Sequence, residues 1–138
     1  MSNLTHCTIV PVTVHDGTIV HVAREDTSGI IYVPTSEIAT KIIHKELATL
    51  AKWLNRNSIH SLEATPNLLY QLKHLHVIHP NTNRVYFVSQ DDLRIILRSY
   101  AKFSDIQCQA MIFALSGRET TIQVCTSLSS LFNSTYYQ

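Results

Sequence analysis

The hydrophobic pattern of this chain changes period at Pro34, and that change constrains the fold more than any other feature. Before it, residues 7–14 are rich in β-branched side chains, His15-Asp16-Gly17 follows, and residues 18–23 are apolar again. Two such runs around an Asp-Gly pair predict a β-hairpin, because that pair tolerates the positive φ angles of a tight turn. Pro11 lacks an amide hydrogen, so the first strand is expected at a sheet edge or a bulge. Residues 24–29 read as a polar loop, and residues 30–33 as a third short strand that Pro34 ends. Beyond Pro34 the apolar residues recur every three or four positions: Ile38, Ala39, Ile42 and Ile43, then Leu47, Leu50, Ala51 and Leu54. This spacing predicts a helix from Thr35 or Ser36 to about residue 44, and a second over roughly residues 45–56. Residues 59–62 read as a short extended link.

The third helix has the clearest start. Thr65 is a candidate N-cap, and Pro66 suits the first helical position, where its missing N–H costs nothing. Leu68, Leu69, Leu72 and Leu75 share one face; Asn67, Tyr70, Gln71 and His74 share the opposite one. Residues 80–83 form a turn and residues 85–89 a strand, with Val85 and Phe87 pointing one way and Tyr86 and Val88 the other. Ser89 with Asp92 resembles a capping box for a fourth helix, whose buried face is Leu93, Ile96, Leu97 and Tyr100 and which ends near residue 103. In the tail, residues 111–115 and 120–126 read as two strands around Ser116-Gly117-Arg118-Glu119. Residues 106–113 also fit a helix, and periodicity does not separate the two. The end, residues 128–138, reads as frayed.

At 138 residues there is room for one domain, and 45% hydrophobic residues allow a core without disulfide staples. Eleven Lys and Arg against ten Asp and Glu leave a net charge of +1, which excludes a histone-like binder and an acidic tail protein. Only 15% of residues are charged, which argues against wholesale disorder. Three cysteines without a CxxC pair read as reduced thiols of an intracellular protein. No apolar run is long enough for a transmembrane helix, so no membrane partner is expected. Neither a signal peptide nor a clustered nuclear import signal is visible.

The order of elements resembles the Ski/Sno/Dachshund homology domain. Ile31-Tyr32-Val33-Pro34 is similar to that family's strand ending in an apolar-Pro step, and residues 47–56 to its Leu-rich second helix. The longest likeness runs from Asn67 to Leu97. It includes Leu72-Lys73-His74-Leu75, Asn83-Arg84, and Phe87-Val88-Ser89-Gln90-Asp91-Asp92-Leu93. The chain departs from the family at three places. Tyr32 stands where Cys is usual, Ala64-Thr65-Pro66-Asn67 replaces a Cys-Asn step, and His76 stands near the position of a turn glycine. The resemblance implies a compact α/β (α+β) fold related to winged helices and a nuclear transcriptional co-regulator. Dachshund-type members are associated with DNA, and Ski-type members use the domain for protein contacts. Residues 9–33 also resemble the start of phage antirepressor N-terminal domains, although the downstream helix lacks their Gly-Leu-x-Trp signature.

Two recognition chemistries follow from the residues. Asn67 and Gln71 can each make bidentate contacts with adenine in a major groove, with Lys73 beside them. Lys45, Lys52 and Arg56 can meet phosphates as the first helix of a helix-turn-helix does, and Arg84 stands where a wing would begin. The plainer reading is a solvated helix face. Tyr70, His74, Tyr86 and Trp53 instead form an aromatic, lightly charged set of the kind enriched at protein interfaces; for Trp53 the plainer reading is a boundary core residue. Low net charge favours protein over DNA, because phosphate neutralisation supplies much of DNA affinity. His74, His76 and His79 lie close together but lack a fourth ligand, so no metal or other cofactor is expected. No nucleophile elbow, phosphate loop or zinc-protease motif is present, so no catalysis and no small-molecule substrate are expected. The chain is therefore expected to be a small mixed or antiparallel sheet with about four helices over residues 1–103, with residues 104–138 as an extension packed on the same domain. Its expected function is non-catalytic and transcription-linked, in the nucleus, with transcription-regulatory proteins as partners. Double-stranded DNA, read by the helix from Pro66, is the alternative.

Overall fold

In the computed structural model, which describes residues 4–117, five antiparallel strands form one sheet with helices on both of its faces. Strands β1 (Cys7–Thr13) and β2 (Ile19–Glu25) form the hairpin, with Cys7 opposite Glu25 and Thr13 opposite Ile19. Gly17 at φ +87 closes the turn, and the Asp16 carboxylate accepts the Thr18 N–H at 2.9 Å. The Thr18 hydroxyl first, and then this N–H, hold the Asp16 carboxyl below the usual carboxylate range. Strand β1 is the sheet edge, where exposed Pro11 costs no ladder hydrogen bond.

Strand β3 (Ile31–Pro34) pairs with β2 on one side and with β5 (Tyr86–Ser89) on the other. The two-residue β4 (Leu62–Glu63) closes the far edge beside β5. The order is therefore β1-β2-β3-β5-β4. Helix α1 opens at Thr35–Glu37 and continues through π turns at Ile38–Ile42. Then come α2 (Leu47–Arg56) and α3 (Pro66–His74). Helix α4 opens at Gln90–Ile95 and continues through π turns at Ile96–Tyr100. Finally α5 covers Asp105–Ser116.

The period-two strands divide the core into two layers. Val12, Val22, Ile31, Val33 and Val88 point to one face, under Ile38 of α1, Leu50 and Leu54 of α2, Leu97 of α4, and Cys108, Met111 and Leu115 of α5. Cys7, Ile9, Ala23, Tyr32 and Phe87 point to the other face, under Leu68 and Leu72 of α3. The expected α+β architecture, a small mixed or antiparallel sheet with helices, holds with an antiparallel sheet, and the described residues form five helices where about four were expected.

The hairpin expected to begin at residues 111–115 is corrected: those residues are the second half of α5. Ser104 and Gln107 form a reciprocal capping box at its start, and Gly117 ends it in the left-handed conformation. The second strand of that hairpin, residues 120–126, lies outside the described residues, as does the frayed end. Since α5 shares its core with β1 and α4, the chain beyond residue 103 opens as part of the same packed unit.

Glu37 settles the edge of β2 where β3 turns away into α1. Its carboxylate accepts the His21 N–H at 2.8 Å, and Lys41 approaches it at 3.1 Å. Lys41 Nζ also donates to the Ile19 carbonyl at 2.8 Å. A buried carboxylate with these partners replaces the missing strand.

Candidate functional site: a groove between α2 and β5

Two hollows meet where α2 passes the open end of β5. The first, of about 370 Å³, is bounded by Leu47, Ala51 and Leu54 of α2 and by Ile59 and Tyr86 opposite. The second, of about 310 Å³, runs from Thr35 and Ser36 past Val77 and Ile78 to Arg84. Thr35, Leu47 and Tyr86 line both, so the two hollows form one groove.

The local chemistry accounts for its walls. Of the apolar stripe on α2, Leu50 and Leu54 enter the core, while Leu47 stays 42% exposed. The stripe is wider than the core it covers, and its surplus side faces the groove. Alternation along β5 sends Phe87 into the α3 layer and leaves Tyr86 on the α2 side, 36% exposed. Tyr86 was expected to point away from Phe87, and it does. The sheet has helices on both faces, and Tyr86 is partly open because the hollows beside α2 leave its ring uncovered.

The other expected partner residues fall elsewhere. Tyr70 and His74 are together on the outer side of α3, with ring centroids 5.9 Å apart and planes 16° from parallel. That surface lies across the sheet from Tyr86, so the expected Tyr70/His74/Tyr86 surface is divided in two. Trp53 packs against Tyr100 at 5.0 Å and is half-buried at the core boundary. Sequence reasoning found Tyr86 by alternation. It missed Leu47 as a groove residue, having assigned it to the core stripe, and missed Val77 and Ile78, which follow the end of α3 with no periodic signal.

The expected DNA-contacting residues are likewise separated. Asn67 is exposed on α3 and Lys73 is partly exposed. Gln71 is held by the fold: its side-chain carbonyl accepts the Ile9 N–H of β1 at 2.8 Å, which removes the acceptor half of its amide fork. Lys52 and Arg56 are exposed on α2, and Lys45 precedes that helix. Because α2 and α3 cover opposite faces of the sheet, they do not form a helix-turn-helix pair. Arg84 is exposed and lies 3.8 Å from the Glu63 carboxylate.

Burial pushes the Cys7 thiol up to about 11, with the carboxylates of Glu25 and Asp26 adding to the effect. Burial raises Cys108 as well, against the opposing pull of Arg98 and Arg94. Both are buried thiols, unlike the exposed setting of a nucleophilic cysteine, and Cys7 is also beside carboxylates rather than cations. Cys125 lies outside the described residues. Among the described residues no three His, Cys, Asp or Glu side chains come together as a metal site, and no helix is long and apolar enough to cross a membrane.

The fold and groove define a class: an antiparallel α+β domain, helices on both faces, with a mainly apolar groove between α2 and β5. No family model matches the chain, and neither a curated protein nor a solved structure is significantly similar to it.

Proposed function

We propose that this domain is a non-catalytic recognition module that holds a segment of a partner protein in the groove between α2 and β5. The observation that carries this reading is the pair of joined hollows walled by Leu47 and Tyr86. Concave, mainly apolar surface with an aromatic residue at its centre is where interface energy concentrates. The transcription-linked, nuclear setting rests on the resemblance of residues 31–34, 47–56 and 67–97 to the Ski/Sno/Dachshund domain, and the partners on this reading are transcription-regulatory proteins.

Panning a random displayed-peptide library on the folded protein tests the groove. Peptides should be retained by the native protein and lost on a folded Leu47→Asp, Tyr86→Ala double variant. Equal retention on both would exclude this surface.

Duplex DNA recognition is a second reading, favoured by the exposed Asn67, Tyr70 and His74 on α3. It requires a steep loss of affinity with salt, since neutralised phosphates release counterions. A flat anisotropy titration with duplex DNA at low salt would remove it.

A further inference from the structure

We infer that the groove selects an acidic partner segment: a short peptide whose bulky apolar side chains fill the two hollows and whose carboxylate lies at the Arg84 end. This inference rests on the groove reading above and adds the charge of the occupant. The walls combine apolar side chains, from Leu47, Ala51 and Ile59 to Val77, Ile78 and Tyr86, with neutral polar ones such as Thr35, Asn55 and Thr82. No Asp or Glu lines either hollow, whereas His60 borders the first, and His79 and Arg84 border the second.

The donors at the second hollow are specific. His79 Nδ1 accepts the Asn81 N–H at 3.0 Å, so the neutral imidazole carries its hydrogen on Nε2 as a donor. The Arg84 guanidinium is 71% exposed, and its contact with Glu63 at 3.8 Å is a solvated pair that a better-placed carboxylate can replace. Two helix starts add to the same sign. Helix α2 begins at Leu47, and Glu46 at its N-cap position makes no side-chain cap. Helix α1 begins at Thr35 behind Pro34, which has no side chain to cap with. Both starts line the groove, and a helix start favours negative charge nearby, a preference that Glu37 in the first turn of α1 and Glu46 before α2 meet only in part. Two carboxylates flank the site without lining it: exposed Glu46, and Glu63 in its pair with Arg84.

The test uses the same peptide selection, read for composition, followed by titrations of the recovered peptides. Recovered peptides should combine Asp or Glu with bulky apolar residues. Their affinity should fall as salt rises. Arg84→Glu should weaken them about fivefold and flatten the salt dependence, because reversing a rim charge acts mainly on encounter. Arg84 is exposed, so the variant should keep the native melting curve, checked by circular dichroism. Groove-binding peptides that are neutral or basic, or that bind the Arg84→Glu variant equally well, would overturn the acidic preference and leave the groove reading standing. Recovery of no groove-dependent peptide would overturn both.

Discussion

Cys7 is in the α3 layer of the core, 3% exposed, with two carboxylates nearby. Its thiol is raised from an ordinary value of 9.0 to about 11, so the folded protein keeps a proton that the unfolded chain releases earlier. Between those values the folded state holds more protons than the unfolded one, and stability falls as pH rises through the window. Below pH 9 the contribution is fully present. Thiol titration with an aromatic disulfide reagent at pH 8 should therefore find Cys7 and Cys108 unreactive in the native protein and reactive after unfolding in urea. Rapid reaction of either in the folded state would contradict their burial. Asp16 illustrates the opposite shift. Its lowered carboxyl belongs to a local turn that an Asp-Gly pair announces in the sequence, whereas nothing local announces that Cys7 is buried beneath α3.

Among the described residues, each of the five helices α1 to α5 ends by the same device, and only one uses glycine. His44, Ser58, His76 and Lys102 follow the ends of α1, α2, α3 and α4 with φ between 56 and 64, and Gly117 follows α5 at 67. In this left-handed region a Cβ crowds the backbone, at a cost of about 1 kcal/mol for an ordinary residue. Replacing His76 by Gly should raise stability by about 0.5–1 kcal/mol, the relief of strain being partly offset by a more flexible unfolded chain. Urea denaturation measures this, and an unchanged or lower midpoint would show that His76 is not strained. The starts of α3 and α4 were legible because their caps are local: Thr65 and Ser89 each accept an N–H three residues on. Helix α5 was not recognised, although Ser104 and Gln107 are an equally local cap. Cys108, Ala110, Met111, Ile112, Ala114 and Leu115 are all buried while Ile106 and Phe113 are exposed, so apolar residues lie all round it and no period separates helix from strand.

At the scale of the whole molecule, the sheet is a wall between two cores, and neighbouring residues on it have unrelated roles. Phe87 is fully buried under α3, and Tyr86 borders the groove. Phe87→Ala should cost about 3–5 kcal/mol, from lost burial and the cavity left behind. Tyr86→Ala should cost less than about 1 kcal/mol while removing partner binding. Comparing their urea midpoints checks this; similar losses would mean that Tyr86 belongs to the core. The same division explains why the expected interface did not assemble. Tyr70, His74 and Tyr86 were grouped from helix and strand faces judged separately, and the sheet stands between them.

The sequence by itself determined the elements: the hairpin at Asp16-Gly17, the period change at Pro34, the capped starts of α3 and α4, and the alternation that sets Tyr86 apart from Phe87. These are decided by hydrogen bonds and side-chain spacing within a few residues, so they are written locally. Only the tertiary structure decided that β5 pairs with β3 and leaves β4 outermost, that α2 and α3 lie on opposite faces, and that Leu47 meets Tyr86 across a groove. Those outcomes depend on which apolar faces bury one another across long stretches of chain, and the spacing of residues along the chain does not encode that choice.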